Sequence, residues 1–266
     1  MFRLQQSGKI QYYTIDAFAE TGLVRHCFST RLGGVSKDEY ASMNLRFHCS
    51  DPAENVRENF RRICGAVGID SNKLVFSNQI HEDQIYIAKK EDCGNGIVRP
   101  NPLKSADGLM TAERGVPLVT FYADCVPLYF LDPVKKVIAL SHSGWKGTVK
   151  RIGAQTIAKM KNIYGSQPGD ILAAVGPSIG ECHFEVGREV AEIFHREFGE
   201  ETVRDYGGRP HVNLQRAIFS QFLQAGISEN NITMSDICTY CRHDLLFSHR
   251  QTGGKRGSLG AFMELI

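Results

Sequence analysis

No stretch of this 266-residue chain approaches the roughly 18 apolar residues of a membrane-crossing helix, which excludes a helical membrane span. The start, Met1-Phe2-Arg3-Leu4-Gln5-Gln6-Ser7, lacks the apolar run of a secretory signal, so the expected address is the cytoplasm. Charge of one sign is scarce: 31 Lys and Arg stand against 29 Asp and Glu, and such a balance gives no electrostatic grip on nucleic acid. There is no Walker A sequence and no dinucleotide glycine fingerprint. No repeat, low-complexity tract or Pro/Ser-rich linker divides the chain, and residues 1–266 read as a single domain. Eight cysteines are present, but the length supports a large core without staples, and most are expected to be reduced and buried.

Hydrophobic spacing supplies the elements. Val56, Phe60, Ile63, Cys64 and Val67 predict a helix opening near Asp51-Pro52, with Asp51 as cap and Gly68 as stop. Leu74 to Phe76, Val116 to Tyr122, Val126 to Leu131, Val137 to Leu140 and Ile171 to Val175 read as strands. A helix is expected after Gly147, carrying Val149, Ile152, Thr156, Met160 and Ile163 on one face and ending at Gly165. Two more are expected at about Val186 to Phe198 and Leu214 to Ala225. Strands and helices interleave without a strict βαβ rhythm, which favours a mixed α/β or α+β class.

Three residues stand out. His81 follows Ser77-Asn78-Gln79-Ile80, with Glu82 and Asp83 beside it. Cys125 lies in Ala123-Asp124-Cys125-Val126-Pro127, where a proline predicts an interrupted or bulged strand that re-aims side chains. His142 opens His142-Ser143-Gly144-Trp145-Lys146-Gly147, a strand–loop–helix junction holding the only tryptophan. Free N–H groups of a helix beginning after Gly147, with Lys146 beside them, would suit an anion. Two imidazoles and a thiolate form a ligand set that zinc accepts with a fourth position open. The separations, 44 and 17 residues, match no short zinc motif, and each residue taken alone also reads as an ordinary loop or core side chain. Cys238-Thr239-Tyr240-Cys241 has the two-residue gap of a redox or zinc motif but no second such pair, so a paired or buried role is expected. Arg31 in Arg31-Leu32-Gly33-Gly34, and Arg250, Lys255 and Arg256 around Gly253-Gly254, could meet an anion or be solvated loops.

Taken together, these segments resemble the YfiH/YlmD family, also called polyphenol oxidoreductase laccase-like, which includes human FAMIN. Phe28-Ser29-Thr30-Arg31 with Gly33-Gly34-Val35-Ser36 and Ser42-Met43-Asn44-Leu45 match its N-terminal signature. The His81, Cys125 and His142 segments follow in order, then Gly176-Pro177-Ser178-Ile179-Gly180, Phe184-Glu185-Val186-Gly187 and Phe247-Ser248-His249-Arg250. The resemblance covers nearly the whole chain. It implies one YfiH/YlmD-like α+β domain of mixed sheets flanked by helices, with a CNF/YfiH-like fold related to proposed cysteine hydrolases. It also implies a zinc held by His81, Cys125 and His142. The implied reactions are phosphorolysis of adenosine, inosine, guanosine or methylthioadenosine, and deamination of adenosine. The chain departs from the family at Glu82, Ser143, Lys146 and Cys182-His183, none of which removes a proposed ligand.

Copper is the other metal the family name suggests. True multicopper chemistry needs His-x-His pairs and a His-Cys-x-x-x-His run. No His-x-His occurs, and Arg31 and Ala53 stand where the runs begun by His26-Cys27 and His48-Cys49 need histidine. The reaction set that the resemblance implies has zinc at His81, Cys125 and His142, with Asp124 or Glu82 as candidates to move protons and Arg31, Lys146 or Arg250 to hold phosphate. Three rivals stay open: a metal-free hydrolase with Cys125 as nucleophile and His142 as base, acting on an amide or cell-wall precursor; copper-dependent phenol oxidation; and a structural zinc closed by a fourth ligand such as His249 or Cys182.

Overall fold

Strands outnumber helices in the computed structural model of the chain, which describes residues 1–266. A hairpin of β1 (Phe2–Ser7) and β2 (Ile10–Ile15) turns at Gly8, whose φ of 59° suits glycine. Then come α1 (Asp16–Ala19), β3 (Val24–Ser29), α2 (Ala53–Val67), β4 (Val75–Phe76), β5 (Ile85–Ile87) and β6 (Gly108–Thr111). The middle holds β7 (Leu118–Tyr122), β8 (Val126–Asp132), β9 (Val137–Ser143), α3 (Trp145–Val149), α4 (Ile152–Tyr164) and β10 (Leu172–Val175). The last third holds α5 (Arg188–Phe198), β11 (Val203–Asp205), β12 (Pro210–Val212), α6 (Leu214–Gln224), β13 (Ile232–Met234), α7 (His249–Thr252) and β14 (Leu259–Leu265). None of these helices is long and apolar enough to cross a membrane.

Two six-stranded sheets form, ordered β1-β2-β3-β14-β7-β4 and β13-β10-β8-β9-β6-β5, beside a small β11-β12 ribbon. Both large sheets are mixed: β4 with β7, β5 with β6 and β10 with β13 run parallel, and their other pairs run antiparallel. The two-residue period of each strand then sorts side chains into layers. From β8, Tyr129 and Leu131 enter the core between the sheets, whereas Leu128 and Phe130 face the core under α4 and α6. From β7, Leu118 and Tyr122 join the inter-sheet core, and Val119 packs with Phe60 of α2 and Phe262 of β14. The layers therefore run helix, sheet, sheet, helices. Phe60 and Tyr129 are fully buried, and truncating such a ring costs about 3–5 kcal/mol.

This is the mixed-sheet α+β class expected from the sequence. Gly68 ends α2 at φ 77° and Gly165 ends α4 at φ 70°, as the glycine stops predict. Four expectations need correction. Asp51 does not cap α2; its carboxylate accepts from Ser36, Asn44 and Asn55. Pro127 does not interrupt β8 but pairs with His142 inside it, and the irregular backbone is one turn earlier, at Asp124 with φ 89°. The strand β9 continues through Ser143, so His142 is a strand residue. The helix after it starts at Trp145, not beyond Gly147, and breaks at Arg151, whose φ is 60°. Only five residues long, α3 offers too little aligned backbone for the anion site expected at its N-terminus.

Candidate metal centre

Three separate backbone devices bring His81, Cys125 and His142 together. Cys125 sits between β7 and β8, immediately after Asp124 in its left-handed conformation. Asp124 is held on three sides: its carbonyl accepts from Ile179 N–H at 2.8 Å, and its carboxylate accepts from Thr239 Oγ1 at 2.6 Å and Arg250 N–H at 2.7 Å. His142 is fixed by its ladder position opposite Pro127 and by its N–H donating to Asp107 O at 2.7 Å. His81 lies on an irregular segment sewn to β7 by Gln79, whose amide exchanges two hydrogen bonds with the Phe121 backbone.

Asp107 ties the second and third devices to each other. Its carboxylate is fully buried and accepts from the backbone N–H groups of Ile80, His81 and Glu82 at 3.0–3.1 Å. His81 reaches this arrangement at φ 64°. The same carboxylate meets His142 Nδ1 at 2.9 Å. Burial pushes the Asp107 carboxyl up, yet the bonds from His142 and the backbone outweigh it and hold it below the ordinary value. An ionised Asp107 keeps the proton on Nδ1 of His142 and leaves Nε2 free to act as a ligand, the carboxylate–histidine–metal relay of many metal sites.

The donor atoms of His81, Cys125 and His142 all lie within 4.8 Å of one another, and the two rings stand edge-on, 4.8 Å between centroids at 83°. Gly144 explains the glycine of the His-Ser-Gly-Trp run. A Cβ there would sit 3.1 Å from Cys125 Sγ and 3.2 Å from the His81 ring. Burial alone would raise the Cys125 thiol, but His142 and then His81 bring it down to about 6. Burial lowers His142, and the adjacent Cys125 sulfur and Asp107 carboxylate more than reverse this, raising it to about 9. The set favours a thiolate beside a cation, and two imidazoles with one thiolate suit a zinc-sized ion. The donors therefore fit a metal, with three protein ligands.

These residues line a cavity of about 1010 Å³. Phe47, Phe76 and Phe121 give it apolar walls; Arg46, Arg99 and Arg256 reach it from loops, and Arg57 from α2. Arg256 is the unusual one: its Nε is buried without a hydrogen-bond partner, and burial, then Arg46, push its guanidinium below the ordinary value. Two like charges on one cavity wall, Arg256 half-buried and Arg46 exposed, favour an anion beside them.

The other residues singled out in the sequence are placed elsewhere. Arg31 donates to the carbonyls of Ala41 and His243 and covers the Phe247 ring at 4.6 Å. Lys146 lies over Trp145, Arg250 donates to His183 O over Phe184, and Glu82 pairs with Lys150. None of the four lines the cavity. Cys182 belongs to a different cluster, with His183, Cys238 and Cys241. Sequence reasoning missed Asp107, Arg46, Arg57 and Arg99. Ser105-Ala106-Asp107-Gly108 carries no local sign that its carboxylate organises residues 26 and 35 positions away.

The chain has clear relatives. It is 32% identical over 240 residues to purine nucleoside phosphorylase YlmD of Bacillus subtilis (strain 168), a match covering 89% of this chain and 86% of that one. It is 32% identical over 236 residues to adenosine deaminase RL5 of an unknown prokaryotic organism, covering 86% and 90%. The crystal structure of the Bacillus licheniformis hypothetical protein YfiH superposes with a TM-score of 0.92 at 31% identity, covering 100% of this chain and 99% of that one. With residues 25–266 matching the family described as multi-copper polyphenol oxidoreductase laccase, the chain belongs to that YfiH/YlmD group.

Proposed function

We propose that this chain is a zinc-dependent purine nucleoside enzyme, splitting adenosine, inosine, guanosine or methylthioadenosine with phosphate and deaminating adenosine. One observation carries the reading: a thiol flanked by two imidazoles opens into the same aromatic-walled cavity as half-buried Arg256 and exposed Arg46. The names of the relatives, a purine nucleoside phosphorylase and an adenosine deaminase, point to the same substrates.

His81, Cys125 and His142 would hold the ion, and zinc there supplies Lewis-acid activation of an oxygen nucleophile near neutral pH. Asp107 keeps His142 in the ligating tautomer. Arg256 and Arg46 would face a phosphate and stabilise its negative charge. The phenylalanines offer a purine flat apolar contact. Asp124 is placed to hold the Cys125 turn. An acid–base step by its carboxylate would first have to break the bond from Thr239 or Arg250.

Chromatography of adenosine, inosine and methylthioadenosine reactions, with and without phosphate, tests this. Phosphate-dependent appearance of free base is expected, with inosine accumulating from adenosine when phosphate is withheld. Metal-replete protein that turns over none of these nucleosides would overturn the proposal.

A second reading rests on the Cys125–His142 pair itself. With Cys125 brought down to about 6 and His142 raised to about 9, the metal-free site holds a thiolate–imidazolium pair suited to nucleophilic catalysis. Stoichiometric covalent trapping at Cys125 in active, metal-free protein favours it. Copper in the same ligand set is the oxidase alternative, under which phenol oxidation disappears on copper removal while nucleoside turnover persists.

A further inference from the structure

A second group of soft ligands lies apart from Cys125, where the chain leaves the parallel pair of β10 and β13. The two exits stay in register: Ser178 bridges Cys238, with Ser178 N–H on Ile237 O at 3.1 Å and Thr239 N–H on Ser178 O at 2.9 Å. Beyond that bridge, Cys182 and His183 come from one exit, and Cys238 and Cys241 from the other. Their donor atoms lie within 4.8 Å of one another.

The individual edges are informative. Cys182 Sγ and Cys241 Sγ are 3.7 Å apart, and His183 Nδ1 lies 3.2, 3.4 and 4.0 Å from the sulfurs of Cys182, Cys241 and Cys238. A tetrahedral zinc with ordinary bond lengths needs edges of roughly 3.8 Å between sulfurs and roughly 3.6 Å between sulfur and nitrogen. A disulfide would need the sulfurs at about 2.05 Å. The surroundings also suit a metal. Gly180 N–H donates to Cys238 Sγ at 3.2 Å, and His183 stacks on Tyr240 at 3.9 Å and 14°, which fixes the ring.

The geometry points to a second zinc site, structural and four-coordinate, formed by Cys182, His183, Cys238 and Cys241. Its four protein ligands leave no open position, unlike the three-ligand centre at Cys125. The clip borders the segments that position Asp124. Thr239, between the two paired cysteines, donates to Asp124 Oδ1; Ile179 donates to its carbonyl; and Arg250 reaches His183 O. Its role is to close the outer ends of these loops so that the turn presenting Cys125 is held from behind.

Elemental analysis of protein grown with zinc tests this independently of the nucleoside chemistry. Cys182→Ser/Cys241→Ser is expected to lose one zinc equivalent per chain, whether Cys125 is intact or replaced by Ala. Cys125→Ala alone should keep one. Cobalt loading of metal-stripped Cys125→Ala protein should give the intense visible absorption of tetrahedral cobalt with thiolate-to-metal charge transfer, which needs no further variant to fold. Equal zinc in the Cys182/Cys241 variant and its parent would overturn the site. So would a Cys182–Cys241 disulfide in the freshly isolated protein, or absence of the thiolate–cobalt band in Cys125→Ala. Loss of nucleoside turnover leaves these readouts unmoved, so the two proposals fail separately.

Discussion

Asp107→Asn is the sharpest test of how the candidate centre is built. The carboxylate makes four contacts through two oxygens: Oδ1 faces His81 N–H and His142 Nδ1, and Oδ2 faces the N–H groups of Ile80 and Glu82. An amide keeps one oxygen and replaces the other with a donor. If the NH2 takes the Oδ2 position, two backbone donors are orphaned in a fully buried setting, at about 1–3 kcal/mol each. If it takes the Oδ1 position, His81 N–H is orphaned. His142 must then accept at Nδ1 and carry its proton on Nε2, facing Cys125, where it blocks ligation. The first arrangement costs roughly 2–6 kcal/mol of stability and the second costs the ligand. The lost charge adds to either, because removing such a carboxylate partner weakens metal binding by about 10–100-fold. Metal competition against a chromogenic chelator and urea melts of the metal-stripped protein read the two costs. Metal affinity within about twofold of the parent, together with an unchanged urea midpoint, would falsify the account of Asp107.

Three further outcomes are expected. His26 is buried at 5% exposure and accepts Ile15 N–H on Nε2 at 2.8 Å; burial brings it down to about 4. The unfolded chain then binds the extra proton first, so stability from neutral His26 is present above about pH 6.5 and falls as pH drops toward 4, by about 3 kcal/mol. Urea midpoints of the parent and His26→Gln should diverge over that window, and parallel curves would refute the linkage. In metal-stripped protein, iodoacetamide should label Cys125 with a half-maximal rate near pH 6, moving upward in His142→Gln; a parent profile centred near the ordinary thiol value of 9.0 counts against the thiolate–imidazolium pair. Arg256→Ala should raise the KM for phosphate by about tenfold or more, the scale of one charged hydrogen bond, while deamination without phosphate stays within about twofold; an unchanged phosphate KM removes Arg256 from the anion site.

Which features were legible in the sequence follows from the range of the forces that set them. Helices α2, α4, α5 and α6 announce themselves through local periodicity and a glycine just beyond the end or, for α6, one residue later. The buried strands β7 to β10 show as short apolar runs. The β1–β2 hairpin does not, because Arg3, Leu4, Gln5 and Gln6 sit on an edge with few buried side chains to set a pattern. Strand β14 is hidden for the opposite reason: all seven of its residues are buried, Gly260 and Glu264 among them, so the alternation that marks a half-exposed strand is missing. At the site, His81, Cys125 and His142 were joined by family resemblance and not by spacing. The group that holds two of them was silent, since Asp107 acts through contacts that only the tertiary fold creates, whereas Arg256 already stood among the basic loop residues offered for an anion.

A His2Cys set does not by itself choose between splitting a nucleoside and deaminating it. Both reactions need an oxygen nucleophile activated beside a purine, and both can use the same three residues. They differ in the second charge requirement. Phosphorolysis brings an anion to the sugar carbon, whereas deamination brings water to the base. Arg256 is half-buried and its Nη1 donates to Gly257 O and Ser258 Oγ, but its buried Nε has no partner, which is costly in an aromatic-walled cavity unless an anion offsets it. Arg46 beside it raises that cost further. The cavity that His81, Cys125 and His142 share with these arginines therefore favours an anion such as phosphate. Under this reading, deamination is the reaction left to the same centre when the anion position is filled by solvent.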